Sequence, residues 1–203
     1  GMAVANSVAG AMRAVDGGVD AYINTSVNGL GERAGQADLL SCILALKFAH
    51  GAEKYEIGDQ INLKMAYKLA KYAADAFGVE LPINQPGVGE NAFAHESGIH
   101  ADGALKDRRN YELYDHELLG LDEVDEPPKR GRIITTGEYG GLAGFKHVYG
   151  RLGITFPDEM TAEHILELVR YANAHTQRPL TDDELRFIAT YPDEMRLILT
   201  MTP

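Results

Sequence analysis

The chain has 203 residues, 45% of them hydrophobic and 24% charged, and a formal net charge of −11. A chain of this size buries a core without cross-links. Its single cysteine, Cys42, excludes an internal disulfide and a cysteine-based zinc site. The acidic balance, with scattered basic residues whose densest group is only Lys106, Arg108 and Arg109, argues against nucleic acid as a partner. No apolar run approaches the ~20 residues that cross a bilayer, and no signal-peptide pattern opens the chain, so a reducing cytoplasm is the expected compartment.

Val4, Val8, Ala11, Met12 and Val15 recur at helical spacing and predict a helix over residues 2–15, ended by Gly17-Gly18. Residues 19–27 read as a short strand and Asn28-Gly29-Leu30-Gly31 as a tight loop. A second helix is expected over 36–49, with Cys42 as a small buried side chain. A third, over 61–77, places Leu63, Met65, Ala66, Leu69, Ala70 and Ala73 on one face. Helix, strand, loop, helix is the rhythm of an α/β protein with a parallel sheet, in which function gathers on the loops that follow strands. Residues 122–131 are acidic and proline-rich, then basic, and read as a linker or exposed loop. Three further helices are expected over 142–152, 161–175 and 181–191. The last opens with a capping box at Thr181-Asp182-Asp183-Glu184, and the tail reads as a small helical domain.

The densest group of reactive side chains runs from Gly87 to Gly103: two histidines, three carboxylates and four glycines in 17 residues. His95 and His100 are five apart with Gly98 between them, which does not match the two histidines four apart of the zinc proteases. The alternative is a polar loop whose histidines are hydrogen-bonded structurally. A second group, Asn28-Gly29-Leu30-Gly31-Glu32-Arg33-Ala34-Gly35-Gln36, follows the expected strand and opens a helix, a setting that suits an anion. It is neither a P-loop nor a dinucleotide fingerprint, and Glu32-Arg33 is a candidate buried ion pair. A third, Arg108-Arg109-Asn110-Tyr111-Glu112-Leu113-Tyr114, is basic and aromatic; a phosphate-bearing cofactor fits such a cluster, and an exposed helix end is the plain alternative.

In order along the chain, Met2-Ala3-Val4-Ala5-Asn6-Ser7, the stretch from Val27 to Gly35, Gly89-Glu90-Asn91-Ala92-Phe93-Ala94-His95-Glu96-Ser97-Gly98-Ile99-His100-Ala101-Asp102-Gly103 and Asn110-Tyr111-Glu112 resemble the homocitrate synthase, isopropylmalate synthase and citramalate synthase family. The resemblance is strong to about residue 120 and thin beyond. It implies the C-terminal part of a TIM (β/α)8 barrel over residues 1–103, a linker over 104–136 and a small helical domain over 137–203. It implies a divalent metal (Mg, Mn or Zn) that polarises a 2-oxoacid, acetyl-CoA as co-substrate, and a base that removes a proton from the acetyl methyl. His100 matches the family histidine that acts as general acid or base, and Tyr111 the tyrosine that accompanies it. Both reach a neighbouring protomer in the family, so a homodimer is implied.

Gln36 stands where most members have an asparagine at the metal site; its amide is displaced by about one carbon–carbon bond. A charged Gly-Lys-His-Ser-Gly-Arg-like segment of the family corresponds to Gly137-Glu138-Tyr139-Gly140-Gly141-Leu142, with its charges reversed or lost. The family's His-x-His-[Asn/Asp]-Asp-x-Gly segment is expected to end at Gly1, with the main metal ligands upstream of it. A chain holding only the barrel's end is expected to be inactive alone. The absence of a long domain beyond the tail favours homocitrate synthase or the citrate synthase of opposite stereochemistry over isopropylmalate synthase. A subunit of a split synthase and a non-catalytic interaction module are the competing expectations.

Overall fold

A computed structural model describes residues 2–57, 60–122, 131–136, 140–176 and 180–201. Among these residues the chain forms eight α-helices and one two-stranded parallel sheet. It divides by packing into two units, Gly1–Phe93 with Leu113–Gly131, and Ala94–Glu112 with Arg132–Pro203.

In the first unit, α1 (Ala3–Asp16) ends as the glycine pair predicts: Gly17 caps it, and Gly18, at φ 84°, turns the chain away. The expected strand over 19–27 is corrected. Its one described ladder contact is a parallel bridge from Ser26 to Asp38, and an extended segment becomes a strand only with hydrogen-bonded neighbours. Within this stretch Ala21, Ile23 and Thr25 line one side of an open cavity of about 470 Å³. Helix α2 (Leu39–Phe48) starts three residues later than expected. Asp38 supplies its N-cap, accepting from the backbone N–H of Ser41 at 2.9 Å, and Cys42 is buried on it.

The expected third helix is a short 3₁₀ turn, Leu63–Met65, running into α3 (Ala66–Phe77). Its buried face is Leu63, Tyr67, Ala70 and Ala74, while Met65 and Leu69 are exposed. The apolar stripe read from the sequence is therefore rotated, since the aromatic ring of Tyr67 fills the core in place of the flexible Met65 and Leu69. Leu44, Val88, Phe93, Leu119 and Leu121 complete this core.

The second unit opens with β1 (Ala94–His95), which pairs in parallel with β2 (Ile133–Ile134). Helix α4 (Gly98–Lys106) follows, then α5 (Leu142–Arg151), α6 (Glu159–Thr176), α7 (Asp182–Thr190) and α8 (Pro192–Met201). The expected tail helices agree with α5, α6 and α7 within one or two residues at each end. The capping box on α7 is present in both directions, Thr181 Oγ1 accepting from the Glu184 N–H and Glu184 Oε2 from the Thr181 N–H. Around α6, the rings of Phe145, Tyr149 and Phe156 stack within 4.6–5.2 Å. The Tyr149 hydroxyl donates to the Leu185 carbonyl at 2.9 Å, tying α5 to α7.

Helix α4 corrects a second expectation, that of a polar loop up to Gly103. Its two buried residues are alanines, Ala101 and Ala104, spaced to face α5. Position 103, where the sequence suggests the barrel portion ends, lies inside this helix. Glycine there serves a close approach and does not mark a chain break. Most of the linker expected over 122–131 lies outside the described residues, as do Gly1 and Gly137-Glu138-Tyr139.

Candidate functional site

His100 and Tyr111, singled out from sequence, are brought side by side in the second unit. His100 projects from the first turn of α4. Tyr111 follows a 3₁₀ turn, Arg108–Asn110, that reverses the chain after the helix. Asp107 caps that turn, accepting from the Arg109 N–H at 3.0 Å. Asn110 Nδ2 donates back to the Gly103 carbonyl at 3.0 Å. The two ring centroids lie 4.4 Å apart. This packing depends on Gly103, since a Cβ at that position would collide with the edge of the Tyr111 ring. Both residues are exposed, Tyr111 by 43%, so an imidazole and a phenol stand next to each other on an accessible face. Such a pair can accept and deliver a proton.

Helix α4 is held from beneath. Gly98 lies against Gly141, and a Cβ on either would come within 2.7 Å of the other's Cα. Ser97 bridges antiparallel to Gly140, whose carbonyl accepts from Arg170 Nη2 at 2.7 Å. The described end of the divergent 137–142 segment thus seats the helix that carries His100.

Behind the pair lies a network that sequence reasoning missed. The Glu112 side chain is only 2% exposed. Its carboxylate accepts a two-pronged bond from Arg132, at 2.6 Å from Nε and 2.7 Å from Nη2. The same group lies 3.1 Å from His95 Nε2. Burial alone would raise the Glu112 carboxyl. The Arg132 fork and the His95 contact outweigh it and hold the group below its ordinary value of 4.5. The two neighbours of Glu112 in this network are 17 and 20 residues away in sequence, so no local spacing announces them. The reading of structurally hydrogen-bonded histidines is met by His95, while His100 lies on a helix.

The basic group is largely compensated. Lys106 pairs with Asp102 at 2.6 Å and Arg109 with Asp107 at 2.6 Å. The Arg109 contact holds the Asp107 carboxyl at about 2. A phosphate would compete with these carboxylates for Lys106 and Arg109.

Gln36 belongs to the first unit and is half-buried. Its side chain folds back on its own loop, so that a Cβ on Gly31 would lie 2.8 Å from Gln36 Nε2. Glu32 and Arg33 are both exposed, which corrects the expectation of a buried ion pair. Asn28, at φ 57°, shapes the loop and donates to the Ala70 carbonyl at 2.8 Å. Gln36 offers one neutral oxygen, whereas a hard divalent ion is held by carboxylates and several oxygens together. The residues present therefore do not by themselves fit a metal centre. Among the described residues, Asp115, His116 and Glu117 bring ligand atoms within 4.8 Å of one another, but Asp115 already caps its own turn by accepting from the Glu117 N–H at 3.3 Å.

Comparison with known proteins covers most of the chain. Residues 1–72 match the HMGL-like family and residues 88–176 match a homocitrate synthase post-HMGL domain-like family. The chain is 54% identical over 205 aligned positions to a citrate (Re)-synthase of Dehalococcoides mccartyi, covering 100% of this chain and 49% of that protein. It is 37% identical to 2-isopropylmalate synthase 2 of Caldanaerobacter subterraneus, over 93% of this chain and 44% of the other. It is likewise 37% identical to the homocitrate synthase AksA of Methanopyrus kandleri, over 93% and 42%. The chain spans about half the length of these curated relatives.

Proposed function

The chain belongs to the family of homocitrate, isopropylmalate, citramalate and Re-type citrate synthases, and from that premise we propose that it is the part of such an enzyme that activates acetyl-CoA. The reaction is a condensation of the acetyl methyl with the keto carbon of a 2-oxoacid, followed by hydrolysis of the thioester to free CoA. In this reading the first part of the chain completes a TIM barrel, and the second carries His100 and Tyr111 to the substrate. The adjacency of the two rings at 4.4 Å is the observation that carries the proposal. One ring takes the methyl proton as the carbanion equivalent forms. The other holds a proton ready for the alkoxide left when the new carbon–carbon bond closes. Such positioned proton transfer contributes about 10²–10⁴-fold in rate.

A divalent metal held by the complete enzyme would supply Lewis-acid polarisation of the keto group of the 2-oxoacid. None of the seven histidines here is two residues from another, so this stretch does not itself carry the expected pair of metal histidines. Gln36 approaches that centre as an accessory amide at most. On the same reasoning, the 203-residue stretch alone releases no CoA. The complete protein works as a cytoplasmic homodimer, with the His100–Tyr111 face offered to the neighbouring barrel.

The 54% identity to a citrate (Re)-synthase, set against 37% to a homocitrate synthase and to an isopropylmalate synthase, favours oxaloacetate as the 2-oxoacid. This narrows the expectation from the sequence, which left homocitrate synthase and the citrate synthase of opposite stereochemistry both open. The test is CoA release by the full-length protein from acetyl-CoA with oxaloacetate, 2-oxoglutarate, pyruvate and a branched 2-oxoacid in turn. Turnover with oxaloacetate that disappears in His100→Ala supports the reading. A preference for another 2-oxoacid corrects the substrate, and turnover indifferent to His100 removes the assigned role.

A further inference from the structure

The proposed chemistry uses His100 and Tyr111 and leaves Glu112 unassigned. A carboxylate whose side chain is 2% exposed, with two partners drawn from distant parts of the chain, has to offset a large desolvation cost. Its placement shows what that arrangement achieves. Tyr111 is exposed on one side, and an exposed phenol ring has several rotamers open to it. Three features narrow them. Gly103 leaves room for the ring on α4. The His95 ring stands 6.3 Å away on another side. The backbone N–H groups of Tyr111 and Glu112 both donate to the Arg108 carbonyl, at 3.1 and 2.9 Å. The Glu112 carboxylate enters through one of these, since it holds His95 by Nε2, and its Arg132 fork anchors the residue next to Tyr111.

We infer that Glu112, clamped by Arg132 and His95, is the positioning residue that sets Tyr111 against His100. This rests on the reading that Tyr111 takes part in proton transfer. Glu112 itself does not touch substrate. A glutamine of the same shape cannot replace it, because its NH2 would face the Arg132 guanidinium donor to donor. A displacement of about 1 Å in a catalytic group costs up to roughly 10²-fold in rate, so a loosened Tyr111 lowers turnover while leaving substrate binding intact.

The test is a double-mutant cycle on CoA release by the full-length protein, with the 2-oxoacid it turns over. Tyr111→Phe is expected to lower kcat by about 100-fold. Glu112→Gln is expected to lower kcat by about tenfold or more with KM unchanged within about twofold. The double variant is expected to fall no further than Tyr111→Phe alone, because a misplaced ring costs nothing once its hydroxyl is gone. Arg132→Lys, which keeps the charge and loses the fork, is expected to repeat the pattern with a smaller loss. It serves as the readout should Glu112→Gln not fold. Losses that multiply in the double variant, or a rise in KM at constant kcat, overturn the positioning role and leave the reading of Tyr111 standing. Tyr111→Phe at the wild-type rate overturns that reading and this inference together.

Discussion

Gly103 shows how one missing methyl group can be functional in a helix. Inside α4 a glycine lowers helix stability by about 1 kcal/mol relative to alanine, and it persists where the Tyr111 ring needs the space. Gly103→Ala therefore separates stability from activity. The melting temperature should hold or rise, since the partly exposed ring can swing outward, while kcat of the full-length protein falls by roughly tenfold or more. Thermal melts and CoA release on the same sample check both halves. Glu112 yields a prediction in pH. Its carboxyl is held below 4.5 in the folded protein, so its contribution to stability is complete above that value. It is lost as pH falls through the lower folded-state value. The melting-temperature gap between wild type and Glu112→Gln should stay level well above the ordinary carboxyl range and narrow as pH falls through and below it. A gap that widens in acid would contradict the sign. Neither residue's role was legible beforehand: the partner of Gly103 lies beyond the helix end, and Glu112 finds its partners 17 and 20 residues away.

At the scale of the element, the helices announced themselves where a cap or a glycine stop coincides with an apolar stripe. That is true of α1 and α7. Helix α4 did not, because its opening glycine and the small residues that follow give no stripe. Its stability comes from the close seat of Gly98 on Gly141 and of Ala101 near Gly144. Adding a methyl at Gly98 places it 2.6 Å from a backbone atom that cannot step aside. Gly98→Ala is expected to cost about 1–3 kcal/mol, as overpacking does, seen as a lower denaturant midpoint. By contrast, Thr181→Ala removes one half of the α7 capping box and should cost about 1 kcal/mol, with faster amide exchange confined to the first turn of α7. The strand expected over 19–27 was misread for a different reason. A strand is defined by its neighbours, and among the residues of this stretch only Ser26 has a described one.

For the whole molecule, the family was legible from four short segments and the α/β class from the order of elements, while the partners of each strand were not, since a parallel sheet is a property of pairings far apart in sequence. The activity proposed above is also a property of the whole. A chelator should abolish CoA release by the full-length protein, and Mg, Mn or Zn should restore it, as a colorimetric thiol assay would show. The division of the chain carries a consequence for how such enzymes can diverge. Residues 94–112 fall into one packing unit with the residues from 132 onward. The tail is thus part of the mould that shapes the His100–Tyr111 face, and the two stretches must be inherited together. A chimaera that exchanges only the tail between relatives separates Glu112 from its own Arg132. One that takes 94–112 along with the tail keeps them as a matched set.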